Sequence, residues 1–281
     1  MLRTHHGLRL LGPADLPAMS ELVARDPVVN VFVDYRARVT QLDPRWMGGE
    51  MWGYLEDGEL VSACHSAANL VPVNATPDAI AAFAARAIRQ RRRCSTIVGP
   101  ADAVAGLWSY LSEHWSPPRE LRWNQPHLEI SAAPKVTPDP GVRRTTHEDL
   151  DVLYPACVAM YTEEVGISPE VGGGADMYRA RVAQLIGKGW SFARIEDGRV
   201  VFKAEIAAVS PYACQIQGVY VDPDRRGEGL ASAGMAAVVD VALREVAPVV
   251  SLYVNEHNHP ARGAYAAVGF EQTAVFSTIM F

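Results

Sequence analysis

Paired cysteines are missing from this chain. Its four cysteines stand at 64, 94, 157 and 214, and no two form a C-x-x-C pair. That scatter excludes a thiolate metal site and a dithiol redox motif, leaving buried free thiols as the expectation. No apolar run reaches the ~18 residues a membrane-spanning helix requires. Met1 to Gly7 lacks the continuous apolar stretch of a secretory leader, so a cytoplasmic location is expected. Positive charge is also in short supply: 26 Lys and Arg face 32 Asp and Glu, a formal net charge of -6. Such a balance gives no reason to expect nucleic-acid binding. The single basic run, Arg89 to Arg93 interrupted by Gln90, reads as a solvated helix end, where cations are favoured. His5-His6 and the pair His257/His259 have no carboxylate or thiol partner at matching spacing. They read as surface or loop histidines, and no metal is expected.

What is present is a two-part pattern. A length of 281 residues favours two domains. In the first part, a short strand at 8–11 precedes a helix opened near Asp15 and ended at Asp26-Pro27. After a mixed segment, strands 50–55 and 60–65 flank Glu56-Asp57-Gly58-Glu59, a strong hairpin signal. A strand at 68–73, a helix from Pro77, a strand at 95–98, a helix at 102–114 and a strand at 123–130 complete it. From Val142 the order repeats: a strand, a helix from Thr146 to about Thr162, and a loop carrying Glu163, Glu164 and Gly166. A helix from Asp176, a hairpin around Glu196-Asp197-Gly198, the strand 214–221, a helix 229–246, the strand 249–254, a helix 260–268 and a strand 272–281 follow. Between the parts, Pro134, Pro138, Pro140 and Gly141 disfavour regular structure. The expected domains are therefore residues 1–133 and 142–281, joined by a linker at 134–141.

The stretch from Gln215 to Ala231 carries the chemistry. Gln215-Ile216-Gln217-Gly218-Val219-Tyr220-Val221 reads as a strand, stopped by Asp222-Pro223-Asp224. Arg225-Arg226-Gly227-Glu228-Gly229 then turns into a long Ala/Val/Met/Leu-rich helix. Such a turn aims unpaired N–H groups and the positive end of a helix dipole at one spot, which suits a phosphate or pyrophosphate. It is not a Walker A loop, because Gly229-Leu230-Ala231 lacks the Gly-Lys-Ser/Thr ending. It is not a dinucleotide fingerprint, because Ser232 stands where the third glycine belongs.

The pattern Arg226-x-x-Gly229-x-Ala231 after a strand resembles the acetyl-CoA loop of the GCN5-related N-acetyltransferases (GNAT). The later order resembles it too: strand 251–254, Asn258, Ala261, Tyr265, then Gly269-Phe270. This resemblance covers roughly residues 142–281. With its long N-terminal half, the chain also resembles the two-domain acetyltransferases typical of actinobacteria. The implied fold class is α/β with a mixed, mostly antiparallel sheet flanked by helices, as a tandem of two GNAT-like domains. The first half has Val73-Asn74-Ala75-Thr76-Pro77 in place of a Gly-rich loop, so it is expected to be degenerate and non-catalytic.

The resemblance implies an acetyl-CoA-dependent N-acetyltransferase acting on a primary amine, a protein lysine or a small amine, by direct attack in a ternary complex. It places the pyrophosphate on the loop amides Arg226, Gly227, Gly229, Leu230 and Ala231, with Arg225 adding charge and Glu228 in the same turn. Val219, Tyr220 and Val221 would line the pantetheine arm, and Asn258 would bind that arm or cap the last helix. Tyr265 matches the acid that protonates the leaving thiolate. A protonated amine needs a base, and Glu205, a lone carboxylate in the apolar strand 201–208, is the first candidate. Its alternative is a salt bridge to Lys203, two positions back on the same strand face. Glu163 and Glu164 are the other candidate bases, or they bind a cationic acceptor. The competing class is a non-enzymatic acyl-CoA sensor.

Overall fold

The structure, a computed structural model, describes residues 6–281; His5 lies outside the described residues. In chain order the elements are β1 (His6–Leu10), α1 (Leu16–Val23), α2 (Val31–Thr40), α3 (Pro44–Met47), β2 (Glu50–Glu56), β3 (Glu59–Ser66) and β4 (Asn69–Val73). Next come α4 (Pro77–Gln90), β5 (Thr96–Pro100), α5 (Ala101–Leu111), β6 (Glu120–Ile130), β7 (Arg143–Arg144), α6 (Leu150–Val165) and α7 (Ala175–Gly187). The chain closes with β8 (Ser191–Glu196), β9 (Arg199–Val209), β10 (Cys214–Val221), α8 (Leu230–Glu245), β11 (Val250–Tyr253), α9 (His259–Val268) and β12 (Glu271–Met280).

These elements form two compact units, each a mixed sheet flanked by helices. One holds the residues up to His127 together with Tyr253–His257 and Gln272–Phe281. The other holds Leu128–Leu252 and Asn258–Glu271. The final strand of the chain thus belongs to the first unit. There β12 lies between β5 and β6, antiparallel to β5, with Ser277 opposite Gly99 and Ile279 opposite Ile97. The sheet of the first unit runs β1-β2-β3-β4-β5-β12-β6. Its strands alternate faces, as a period of two demands. Cys64 joins Trp52, Leu70, Phe83 and Ile97 under α4 and α5, while its neighbour Ala63 joins Met19, Leu22, Val33 and Met51 under α1 and α2.

Two hairpins close as their turn residues dictate. Asp57 and Gly58 both take positive φ, 50° and 89°, and Asp197 and Gly198 do so at 49° and 73°. This pair of left-handed residues matches the twist of the flanking strands. The segment after Asp26-Pro27 folds as α2 and α3. Its Val-Phe-Val-Asp-Tyr run has strand-like composition, yet Val33, Ala37 and Thr40 are buried at helical spacing. Tertiary packing overrides local preference there.

In the second unit the order is β11-β10-β9-β8-β7. The α8 helix covers one face so closely that a Cβ on Gly234 would lie 2.8 Å from the Phe202 ring. Helices α6 and α7 cover the other, with Leu153, Cys157, Val182, Ile186, Ala193 and Val200 as core. The Pro-rich segment between β6 and β7 has no regular structure but is not a loose tether. Asp139 is buried, its main-chain N–H donates to Ala233 O at 3.0 Å, and its carboxylate accepts from Arg194 Nη1 at 2.7 Å. All four cysteines are free and buried. Among the described residues, no helix is long and apolar enough to cross a membrane. None of their His, Cys, Asp and Glu side chains form a group of three or more that could hold a metal ion.

Candidate active site

The β10 strand leads into the loop that sequence reading singled out. Asp222 stops the strand and is almost fully buried. One carboxylate oxygen accepts from Asp224 N at 3.1 Å, and the side chain is clamped by Arg199, whose Nη2 donates at 2.7 Å. The chain makes one tight turn at Pro223–Arg225 and enters α8 through Gly227 (φ 86°) and Gly229 (φ 81°). Both conformations are left-handed, which glycine adopts without penalty. A Cβ at either position would meet no atom within 4 Å, so the space beside these exposed glycines is open. Gly229 is the N-cap of α8 and offers no side-chain cap. The leading N–H groups of α8 are therefore left to an external acceptor, at the positive end of its dipole. In the same turn, Arg225 is held between Glu196 at 2.8 Å and Glu228 at 2.7 Å. Arg226 pairs with Glu163 at 2.7 Å.

Beside the loop, β10 parts from β11. The two strands are parallel and in register only at Cys214–Val250 and Gln215–Ser251. Beyond Gln215, β10 continues to Val221 against β9 alone, leaving one edge open. Asp222 N donates to Val201 O on β9 at 3.1 Å. By strand alternation the Val221 N–H points the other way, into the opening. On the β9 side the register jumps from Gln217–Glu205 to Tyr220–Lys203. Gly218 and Val219 thus form a β-bulge, with Gly218 at φ 61°.

Beneath this bulge lies a buried polar cluster. Lys203 is fully buried, its ammonium 2.7 Å from Glu205 Oε1, and it donates to Gly218 O at 3.0 Å. Glu205 is 5% exposed. It also accepts from Gln217 Nε2 at 3.4 Å and from the Cys157 thiol at 3.7 Å. Burial opposes the charge on Lys203, but the Glu205 carboxylate outweighs it and the pKa is raised. Burial pushes the Cys157 thiol up to about 12, so it is inert as a nucleophile. Of the two sequence readings of Glu205, the salt bridge to Lys203 is therefore formed. The Tyr178 hydroxyl donates to Cys157 O at 3.0 Å nearby.

Glu163 and Glu164 lie in the last turn of α6, not in the loop after it, and α6 ends at the left-handed Gly166 (φ 78°). Asn258 caps α9, its Oδ1 accepting from Ala261 N at 3.2 Å. Tyr265 on α9 is buried, edge-on to Phe270 at 5.9 Å. Burial raises its pKa above the ordinary phenol value, and the charge of Glu164 adds to the effect. Its hydroxyl is therefore protonated at neutral pH. Glu205 and Tyr265 share no hydrogen bond among the described residues, whereas the charge of Glu164 reaches Tyr265. The ties of Lys203 to Gly218 O and of Arg199 to Asp222 gave no separate sequence signal. Each joins side chain to loop or bulge across a sheet register that only pairing defines.

Residues 176–270 match the model of the acetyltransferase (GNAT) family, and residues 49–153 match that of a domain of unknown function (DUF4081). Two different family models thus match successive parts of the chain. No curated relative matches it. Among solved structures, a GCN5-related N-acetyltransferase from Sphaerobacter thermophilus aligns with a TM-score of 0.62 at 16% identity, over 98% of this chain and 95% of its own. A GNAT-family acetyltransferase from Colwellia psychrerythraea aligns at 0.59 and 12% identity, over 98% and 99%. A tandem GNAT protein from the clavulanic acid biosynthesis pathway aligns at 0.56 and 16% identity, over 98% of both chains. The fold is that of tandem GNAT proteins.

Proposed function

We propose that this protein transfers an acetyl group from acetyl-CoA to a primary amine, a protein lysine or a small amine, by direct attack in a ternary complex. The observation that carries the reading is the uncapped start of α8 behind two left-handed glycines, beside a strand whose pairing with β11 has already ended. The first turn of α8 would hold the diphosphate through Gly227, Gly229, Leu230 and Ala231, with Arg226 swinging from Glu163 to add charge. Val219, Tyr220 and Val221 would line the pantetheine arm. A β10 N–H in the opening would polarise the thioester carbonyl, a type of contact worth ~10²–10³ in rate. Asn258 serves as the cap of α9.

Coenzyme A departs as a thiolate, and Tyr265, kept protonated by burial, is the proposed acid. The amine nitrogen loses its proton as the C–N bond forms. Glu205 is buried and its two oxygens are already engaged, one by the Lys203 ammonium at 2.7 Å and the other by the Gln217 side-chain amide. Glu164, whose charge reaches Tyr265, is the better proposed acceptor of that proton.

The N-terminal unit fits a non-catalytic role. Thr76 caps α4 with its own hydroxyl on Ala79 N at 3.3 Å, and Asn74 Nδ2 donates to Leu22 O at 2.7 Å. Pro72 removes a donor from β4, which pairs with β5 only at Asn69–Thr96 and Leu70–Ile97. The direct test is a panel of amine acceptors with acetyl-CoA, reading thiol release, beside calorimetric titration with coenzyme A. Turnover with a primary amine supports the reading. Binding without turnover on any amine would replace it with an acyl-CoA sensor, and no binding would end both.

A further inference from the structure

A fully buried lysine is expensive, and Lys203 is fully buried in a strand that from Val200 to Val209 is apolar but for itself and Glu205. Replacing a buried ion pair by apolar groups is often neutral or stabilising, so the pair is weak evidence of stability. What this pair touches is specific. Lys203 Nζ holds Gly218 O at 3.0 Å, inside the two-residue bulge that β10 makes between Gln217 and Tyr220. The bulge leaves Gly218 without a register partner on β9. Its carbonyl needs some other donor. Glu205 fixes the ammonium at 2.7 Å, while its other oxygen takes the side-chain amide of Gln217, the residue that opens the bulge. A Cβ on Gly218 would lie 3.1 Å from Glu205 Oε2, so the carboxylate and the bulge are in close contact.

We propose that Lys203 is a positioning residue for acyl transfer: with Glu205 as counter-ion, its ammonium grips the Gly218 carbonyl and fixes the backbone of β10 where the thioester is to be polarised. This rests on the acetyl-transfer reading above. A glycine at positive φ has shallow backbone preferences. Left unheld, the Gly218–Val219 peptide would sample other orientations. A misaligned oxyanion donor forfeits most of its contribution to the transition state. The proposed pyrophosphate site lies past Asp222 and is built by other residues. Loss of Lys203 is therefore expected to act on kcat and to spare cofactor affinity.

The test is the paired substitution Lys203→Met with Glu205→Gln, which strands no charge, assayed against wild type for kcat, for KM of acetyl-CoA and for coenzyme A affinity. The expected result is a fall in kcat of ~10²-fold with coenzyme A affinity within about threefold, and partial recovery of kcat in Lys203→Arg. A kcat within about threefold of wild type, in a variant that folds, overturns the role. If the paired variant does not fold, Gly218→Ala takes its place. There Lys203 and Glu205 remain, but the new Cβ crowds the carboxylate, and the same selective loss of kcat is expected; an unchanged kcat overturns the proposal. Wild-type protein that binds no coenzyme A overturns the acetyl-transfer reading itself, which separates that failure from failure of the Lys203 role alone.

Discussion

Gly229 offers a clean separation of folding from binding. At φ 81° and ψ 2°, an L-residue there pays the left-handed penalty of roughly 1–2 kcal/mol. No atom lies within 4 Å of an added Cβ, so no steric cost adds to this. Gly229→Ala should therefore lower the melting temperature by only a few degrees, at roughly 2–4 °C per kcal/mol for a domain of this size. The Cβ would project into the space proposed for the diphosphate, and coenzyme A affinity should fall at least ~10-fold. Gly229→Glu keeps the same folding penalty and adds a negative charge. At about 5 Å and an effective dielectric of ~20, one carboxylate–phosphate pair repels by roughly 3 kcal/mol, a loss of over ~10²-fold in affinity. The loss should shrink as salt screens the charges. Calorimetry with coenzyme A at two ionic strengths, beside thermal unfolding, measures both quantities. Affinity within threefold of wild type in a folded Gly229→Glu protein would refute the phosphate assignment, however the enzyme performs.

Tyr265→Phe should lower kcat by ~10²–10⁴ with little change in coenzyme A affinity, if its hydroxyl protonates the thiolate; a kcat within twofold makes it a packing partner of Phe270. Glu163→Gln frees Arg226 from an exposed pair worth at most about 1 kcal/mol, so KM for acetyl-CoA should fall by up to ~5-fold; a rise would mean that the pair holds the loop open for the cofactor. Burial pulls His65 down to about 4, with the charge of Arg36 adding, and both ring nitrogens lack a hydrogen-bond partner. The unfolded chain takes up that proton near pH 6.5 and the folded chain only near 4. Stability from this residue is thus complete above pH 6.5 and lost as pH falls towards 4, reaching about 3 kcal/mol. Urea unfolding at pH 7 and pH 5 should show the loss, and His65→Leu should flatten it; an equal slope in that variant would refute the assignment.

The sequence alone carried a good deal of this. The two Asp-Gly hairpins, the left-handed glycines ahead of α8 and the cap at Asn258 are local, and local steric rules decide them. The same rules left residues 31–40 an unassigned mixed segment, because β-branched and aromatic side chains there give no clear local preference. Burial of Val33, Ala37 and Thr40 made it a helix. Glu163 and Glu164 likewise became part of α6, because a helix end is set by where Gly166 can turn left-handed as much as by composition.

Other features depend on which distant strands meet. That Glu205 faces an ammonium was one of two readings in the sequence; that the same ammonium also holds Gly218 O across a bulge was in neither. The bulge is a property of two strands in register, and no single strand encodes it. The pairing of Arg226 with Glu163, 63 residues apart, has the same origin, as does the place of β12 beside β5. Local preference selects each strand, turn and cap, but the sheet decides which side chains share one buried, low-dielectric space, and it is there that charges acquire partners and roles.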